Sequence, residues 1–120
     1  MNGYVDEFGR ALMNLKVRSA QNSAPVEVTV WVDTAFNGEL VAPRSVIESL
    51  GLEQSGGILA TLADGNKVTL ESYTCFVDWF AERIAVEIIA NSGQIPLLGI
   101  GLLAGHRLVV DYPMRSLTLD

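Results

Sequence analysis

The chain has 120 residues, of which 49% are hydrophobic, and its formal net charge is −6 at pH 7. This length predicts a single domain, 1–120, that can bury a sizeable core. The eight Lys and Arg residues are scattered along the chain, which argues against a nucleic-acid partner because phosphate binding needs clustered basic residues. The apolar stretches are too short for a membrane span, so no membrane partner is expected.

The first residues of the chain, Met1 to Glu7, lack a basic region followed by an apolar run and do not resemble a secretory signal. The only cysteine, Cys75, cannot form an internal disulfide, so a reducing compartment is the default. We therefore expect a cytoplasmic protein in which Cys75 is a buried apolar residue.

The first strongly patterned element is the segment from Val26 to Val32, in which valines alternate with more polar residues. Strict alternation and β-branched content predict a strand with one buried face. The preceding stretch Ala11 to Ser19 is a candidate strand, joined to it through the polar turn from Ala20 to Pro25.

A turn at Phe36-Asn37-Gly38 is followed by apolar residues at helical spacing between Pro43 and Leu50. Proline suits the first turn of a helix and Gly51 suits its C-terminal cap. The sequence therefore predicts a helix of about two turns.

From Gly57 onward the pattern is again that of strands. Asp64-Gly65 separates two short apolar runs and predicts a hairpin with its tip at Ala63 to Asn66. The strands expected after Gly57 are Ile58 to Leu62, Lys67 to Leu70, Tyr73 to Phe80, Arg83 to Ala90, Ile95 to Gly99, Arg107 to Asp111 and Arg115 to Leu119. One or two helical turns are expected at Ile100 to Ala104. Many short strands separated by turns predict a mainly β barrel or sandwich.

The residues that carry candidate chemistry are Asp33-Thr34-Ala35, at the end of the apolar strand. Because Asp33 directly follows this strand, its carboxylate is expected to be carried on rigid backbone at the edge of the apolar core. The tripeptide alone is weak evidence, because short motifs of this kind arise by chance. Its context is stronger: a turn and short helix follow, then an Asp-Gly hairpin, then an apolar Leu-Leu-Gly segment.

The order of these blocks resembles the retropepsin-like (retroviral-type) aspartic proteases, and specifically their small bacterial and archaeal branch. The blocks that carry the resemblance are Val30 to Pro43, Ala63-Asp64-Gly65 and Pro96 to Leu103. The resemblance implies an all-β, closed-barrel-like retropepsin (acid protease) fold with one or two short helices, acting as a homodimer on a peptide or protein substrate.

In such a family two carboxylates share one proton, because like charges about 3 Å apart cannot both ionise. One acts as general base on a water, and the other donates to the scissile carbonyl. The resemblance implies that Asp33 of each subunit supplies one carboxylate, with no metal and no cofactor. It also implies that Thr34 holds the two active-site loops together across the twofold axis.

The resemblance further implies substrate contacts from Trp31, Asn37 and the hairpin tip Ala63, Asp64 and Gly65. Trp31 would line a pocket beside the scissile bond, and the hairpin tip would be a mobile flap. Three positions depart from the family pattern: Ala35 stands where glycine is usual, and Asn37 and Ile100 replace the charged residues of viral members.

Other functional classes receive less support. A proteolytically silent domain of this fold, used for dimerisation or peptide binding, is favoured by Ala35. An unrelated monomeric β-barrel binding module is also open. His106 and Cys75 have no paired metal-ligand spacing, so a zinc site is not expected. His106 is expected at the surface or a helix end, and Gly99 where two segments pass closely.

Overall fold

The computed structural model describes all residues, 1–120, and contains ten strands and two short helices. In chain order the elements are β1 (Asn2–Val5), β2 (Ala11–Arg18), β3 (Val26–Val32), β4 (Leu40–Pro43), α1 (Arg44–Leu50), β5 (Gln54–Thr61), β6 (Lys67–Trp79), β7 (Glu82–Asn91), β8 (Leu97–Leu98), α2 (Ile100–Leu103), β9 (Leu108–Asp111) and β10 (Ser116–Leu119). No helix of the structure has the length and apolar character needed to cross a bilayer.

The ten strands form one sheet in the order β5-β6-β7-β4-β8-β3-β2-β1-β10-β9. An additional antiparallel pairing joins β2 to β6, at Val17 with Val77 and Arg18 with Phe76. Since β2 and β6 are far apart in the strand order, this pairing curls the sheet back on itself. The all-β, barrel-like architecture with two short helices confirms the fold predicted from the sequence.

The alternation predicted for β3 is present where the strand enters the core. Val30 and Val32 are buried, whereas Trp31 between them is exposed. Val26 at the start of the strand is also exposed, so the buried face begins only in the second half of β3. The strand thus carries Trp31 on an accessible face directly before Asp33.

Helix α1 ends where the sequence predicts and begins one residue later than predicted, at Arg44. Pro43 occupies its N-cap position, and Gly51 at its C-cap has φ 67°, in the left-handed region that glycine adopts without penalty. Ile47 and Leu50 are the buried residues of α1. They join a core cluster of 22 buried residues that lies inside the curled sheet.

The structure differs from the predicted elements in several places. The strands predicted at Lys67–Leu70 and Tyr73–Phe80 are one continuous strand, β6. It changes partners along its length, pairing first with β5 and from Ser72 with β7. Strands β1 and β4 were not predicted, and the predicted strand Ile95–Gly99 shortens to the two residues of β8.

Candidate active site

The candidate site is built where three strands from distant parts of the chain meet. Strand β8 lies between β3, to which it is parallel, and β4, to which it is antiparallel. At the end of β3 the backbone N–H of Asp33 donates a 2.8 Å hydrogen bond to the carbonyl oxygen of Leu98. Asp33 therefore leaves the sheet at a position fixed by the neighbouring strand.

The chain turns immediately after Asp33. One carboxylate oxygen of Asp33 accepts a 2.9 Å hydrogen bond from the backbone N–H of Ala35. The Asp33 carbonyl accepts another, of 3.2 Å, from the N–H of Phe36. Such local bonds orient an aspartate in a turn. The Asp33 residue is half-buried, and Thr34 and Ala35 are exposed on the surface of the chain.

The segment after β8 packs directly on this turn. The N–H of Ile100 donates to the carbonyl of Phe36 at 2.8 Å, and the N–H of Gly101 donates to the carbonyl of Gly38 at 2.9 Å. A β-carbon added at Gly99 would lie 2.6 Å from the Phe36 carbonyl oxygen, closer than real β-carbons approach. Gly99 therefore allows two segments to pass closely, as expected from the sequence.

A pocket of about 390 Å³ opens beside the Asp33 carboxylate. It is lined by Trp31, Val32, Asp33, Thr34 and Leu97. Trp31 is 37% exposed, and Asp33 is the only charged residue of the lining. The structure thus brings Trp31, Asp33 and Thr34 together around one apolar depression with a single carboxylate.

A second pocket, of about 590 Å³, lies between the turn at Phe36 to Gly38 and the hairpin of β5 and β6. The hairpin contributes Ile58, Leu59, Ala60 and Leu70 to its lining, which also contains Asn37. Leu59, on the hairpin side of this pocket, is 66% exposed. This groove places Asn37 opposite the hairpin rather than beside Trp31.

The predicted hairpin tip is present and exposed, with Ala63, Asp64 and Gly65 at the turn between β5 and β6. Gly65 has φ 87°, which favours glycine, and the Asp64 carboxylate accepts a 2.9 Å hydrogen bond from the Asn66 N–H. None of the three residues lines either pocket; the hairpin reaches the groove through residues nearer its base.

The remaining chemically reactive side chains lie in other surroundings. Cys75 is 0% exposed, and burial raises the pKa of its thiol to about 12, with the Glu39 carboxylate adding to the rise. The ring of His106 stacks on Phe80 with a centroid distance of 4.7 Å and contacts Trp79 edge-on. A buried neutral thiol is a poor nucleophile, so Cys75 is not suited to nucleophilic catalysis.

Leu97, Phe36 and Gly38 line the pockets but were not singled out as site residues from the sequence. The signal that could have found them is the pair Gly99 and Gly101. Closely spaced glycines after an apolar strand indicate that another backbone segment approaches there. In the structure that segment is Phe36 to Glu39.

Neither protein-family models nor curated proteins give a match. Among solved structures, the chain is similar to a retropepsin-like aspartic protease from Rickettsia conorii, with a TM-score of 0.66, 19% identity, and coverage of 99% of this chain and 88% of that one. It is also similar to EIAV protease in complex with the inhibitor HBY-793, with a TM-score of 0.55, 18% identity, and coverage of 78% and 85%. At these identities the likeness shows the fold, which is retropepsin-like.

Proposed function

We propose that this protein is an aspartic endopeptidase that hydrolyses peptide bonds with water activated between two Asp33 carboxylates, one from each subunit of a homodimer. The observation that carries the proposal is the position of Asp33. Asp33 follows the end of β3, and its backbone is hydrogen-bonded to Leu98. It lines a mainly apolar pocket in a chain with a retropepsin-like fold. The proposed cytoplasmic location is consistent with a single unpaired cysteine.

The need for a second subunit follows from the chemistry. Asp33 is the only carboxylate in its pocket, and the Asp-Thr-Ala sequence occurs once in the chain. One carboxyl group cannot act as general base on water and as general acid on the carbonyl oxygen in the same step. A twofold axis beside the exposed Thr34 and Ala35 would bring in the partner's Asp33.

In the proposed reaction the ionised Asp33 of one subunit removes a proton from a water molecule held between the carboxylates. The water oxygen forms a bond to the scissile carbonyl carbon. The protonated Asp33 of the other subunit donates its proton to the carbonyl oxygen, which gives a tetrahedral diol. The C–N bond then breaks as the nitrogen takes a proton from one carboxyl and a diol hydroxyl returns one to the other carboxylate.

The substrate in this proposal is an extended peptide held by backbone hydrogen bonds. A side chain next to the scissile bond would fill the pocket of Trp31 and Leu97. The hairpin would cover the peptide, with Asn37 and the tip residues Ala63, Asp64 and Gly65 as further contacts. Thr34, which is exposed in the single chain, would hydrogen-bond through its hydroxyl to the partner's loop.

The direct test is cleavage of a diverse peptide mixture by purified protein and by its Asp33→Asn and Asp33→Ala variants. We expect cleavage by the native sequence and none by either variant, with all three proteins folded and dimeric. Full activity in a pure Asp33→Ala protein would overturn the proposal. A monomer at the concentrations of the assay would also contradict it and would favour an unrelated β-barrel binding module.

A second candidate is a proteolytically silent domain that dimerises or binds peptide. Ala35 favours it, because this exposed residue directly follows Thr34, which lines the pocket of Asp33. Alanine excludes approaches of a substrate backbone that glycine permits. Cleavage of any peptide by the native protein favours the endopeptidase. If the native protein cleaves none, a gain of cleavage in Ala35→Gly would mean that the scaffold is competent and that alanine restrains it.

A further inference from the structure

A further depression, of about 280 Å³, lies beside the pocket that contains Asp33. Arg10 is its only charged residue; the rest of the lining consists of Leu12, Thr29, Gln94, Ile95 and Pro96. The proposed dyad does not include any residue of this depression, which we call the Arg10 depression.

Trp31 stands between the Arg10 depression and the Asp33 pocket. Its neighbour on β2 is Leu12, which lines the Arg10 depression, and its neighbour on β8 is Leu97, which lines the Asp33 pocket. The backbone N–H of Trp31 also donates a 2.8 Å hydrogen bond to the carbonyl oxygen of Pro96. The two depressions are thus adjacent along the same strands, with one indole ring between them.

The Arg10 guanidinium is held over aromatic rings. Its central carbon is 6.0 Å from the centroid of the Trp31 ring and 5.2 Å from that of Phe8. Its Nε donates a 2.6 Å hydrogen bond to Asp6, and its side chain is 30% exposed. The terminal nitrogens Nη1 and Nη2 form no hydrogen bond within the chain, so their donors are free for a ligand.

Asp6 orients Arg10 and has its own hydrogen-bonding capacity largely used. Its carboxylate accepts from the backbone N–H groups of Phe8 at 3.0 Å and Arg10 at 2.9 Å, as well as from the Arg10 Nε. Burial alone would raise the pKa of Asp6, but these three hydrogen bonds and the positive charge of Arg10 together lower the pKa. Asp6 therefore holds the guanidinium through Nε. Nη1 and Nη2 remain available to the carboxylate of a ligand.

The distance between the Trp31 ring and the Arg10 guanidinium is close to the spacing of same-side residues in an extended peptide. Residues of a strand two positions apart point to the same side and are about 6.6 Å apart. The Arg10 guanidinium is 6.0 Å from the Trp31 ring. A peptide whose side chain rests on Trp31 can thus present the side chain two positions away to Arg10.

We propose that Arg10 makes this protein selective for peptides with an acidic residue two positions from the residue held at Trp31. The Glu or Asp carboxylate accepts charge-assisted hydrogen bonds from Nη1 and Nη2 of Arg10. This inference rests on the proposed endopeptidase function, since it assigns the substrate class of the same site.

The test uses matched pools of peptides that are randomised except at one position, which holds Glu in one pool and Gln in the other. The proteins are the native sequence, Arg10→Gln, Arg10→Lys and, as a control, Lys16→Gln. Lys16 is exposed on β2, the strand that follows Arg10, so its replacement removes one positive charge outside both depressions. Asp6 keeps its two backbone donors in Arg10→Gln, which supports the loop in that variant.

For the native protein we expect kcat/KM to be about tenfold or more higher for the Glu pool than for the Gln pool at one position, from hydrogen bonds to a charged group. The ratio falls to about one in Arg10→Gln, stays above one in Arg10→Lys, and is unchanged in Lys16→Gln. Thermal unfolding of each variant shows that the native fold is retained.

Two outcomes overturn the inference and leave the endopeptidase proposal in place: cleavage without acidic preference, or a preference that survives in Arg10→Gln. If no pool is cleaved, binding is measured through tryptophan fluorescence. Selective binding of the Glu pool that is lost in Arg10→Gln then supports the Arg10 site and rejects the endopeptidase. Equal or absent binding of the two pools rejects both.

Discussion

The backbone N–H of Asp33 donates a 2.8 Å hydrogen bond to the carbonyl oxygen of Leu98, a residue from the other half of the chain. Directly after Leu98, Gly99 packs against the turn that follows Asp33. The candidate site is therefore held by backbone contacts between two segments, and substitutions at this crossing should affect it before they affect the rest of the fold.

Gly99→Ala tests this crossing. A β-carbon at position 99 would lie 2.6 Å from the carbonyl oxygen of Phe36, so backbone must shift. We expect a loss of about 1–3 kcal/mol in the free energy of unfolding, typical of overpacking. The matched control is Gly56→Ala, where the nearest atom to an added β-carbon is the Ser72 hydroxyl at 3.4 Å. Equal unfolding temperatures for Gly99→Ala and the native protein would contradict the close approach.

Ala35→Gly is expected to have opposite effects on the stability of the fold and on the access of substrate to the site. Ala35 has no positive φ, so glycine gains nothing there in the folded state and adds freedom to the unfolded chain. We expect a stability loss of about 0.4–1 kcal/mol. We also expect a higher kcat/KM, because the methyl next to Thr34 no longer limits the approach of substrate. Thermal unfolding and peptide cleavage measure the two effects, and a fall in kcat/KM with the fold intact would show that the methyl does not restrain the site.

The pH dependence of stability should contain a contribution from Asp78. Hydrogen bonds from Arg18 and then Arg83, both at 3.0 Å, lower the pKa of Asp78 from its usual 3.8 to about 2. Because the pKa is lowered in the folded state, the ion pairs stabilise the fold above about pH 4 and lose this effect as the pH falls towards 2.

We therefore expect Asp78→Asn to have a lower unfolding temperature than the native protein at pH 7 and a smaller decrease between pH 4 and 2. Thermal unfolding at several pH values measures both. Glu82→Gln, which removes an exposed carboxylate from the neighbouring strand β7, is the control. If Asp78→Asn and the native protein lose stability in parallel below pH 4, the ion pairs do not contribute as described.

Cys75 should be chemically silent in the folded protein. Its thiol is 0% exposed and its pKa is raised to about 12, so little thiolate is accessible at neutral pH. We expect Ellman's reagent to modify it orders of magnitude more slowly in the native protein than in guanidinium chloride. Rapid modification under native conditions, or loss of peptide cleavage on treatment with iodoacetamide, would disagree with a buried structural role.

The parts of the fold that follow local rules could be predicted from the sequence. The alternation of β3, the Asp64-Gly65 hairpin and the Pro43 and Gly51 ends of α1 each depend on residues near one another. Strand β4 was missed because its four residues carry no local period. They become a strand by pairing in parallel with Ile88 to Asn91 of β7. Long-range pairing of this kind leaves little trace in a short segment.

The candidate site, too, could be predicted only where it depends on residues that are close in sequence. Asp33, Thr34 and Trp31 were identified from a strand and the turn after it, and the structure places them around one pocket. The contribution of Leu97 depends on β8 lying beside β3, a register that sequence pattern does not specify. Arg10 was overlooked for the same reason, because its contact with Trp31 arises from the pairing of β2 with β3.

The central claim is that one active site takes Asp33 from two chains, and subunit mixing tests it most directly. A fixed amount of native protein is unfolded and refolded with an equal amount of Asp33→Asn, and peptide cleavage is compared with that of native protein refolded alone. If the site needs Asp33 from both subunits, mixed dimers are inactive and the activity falls to about half by random pairing. If each chain carries its own complete site, the activity stays unchanged, and that result would contradict the shared dyad.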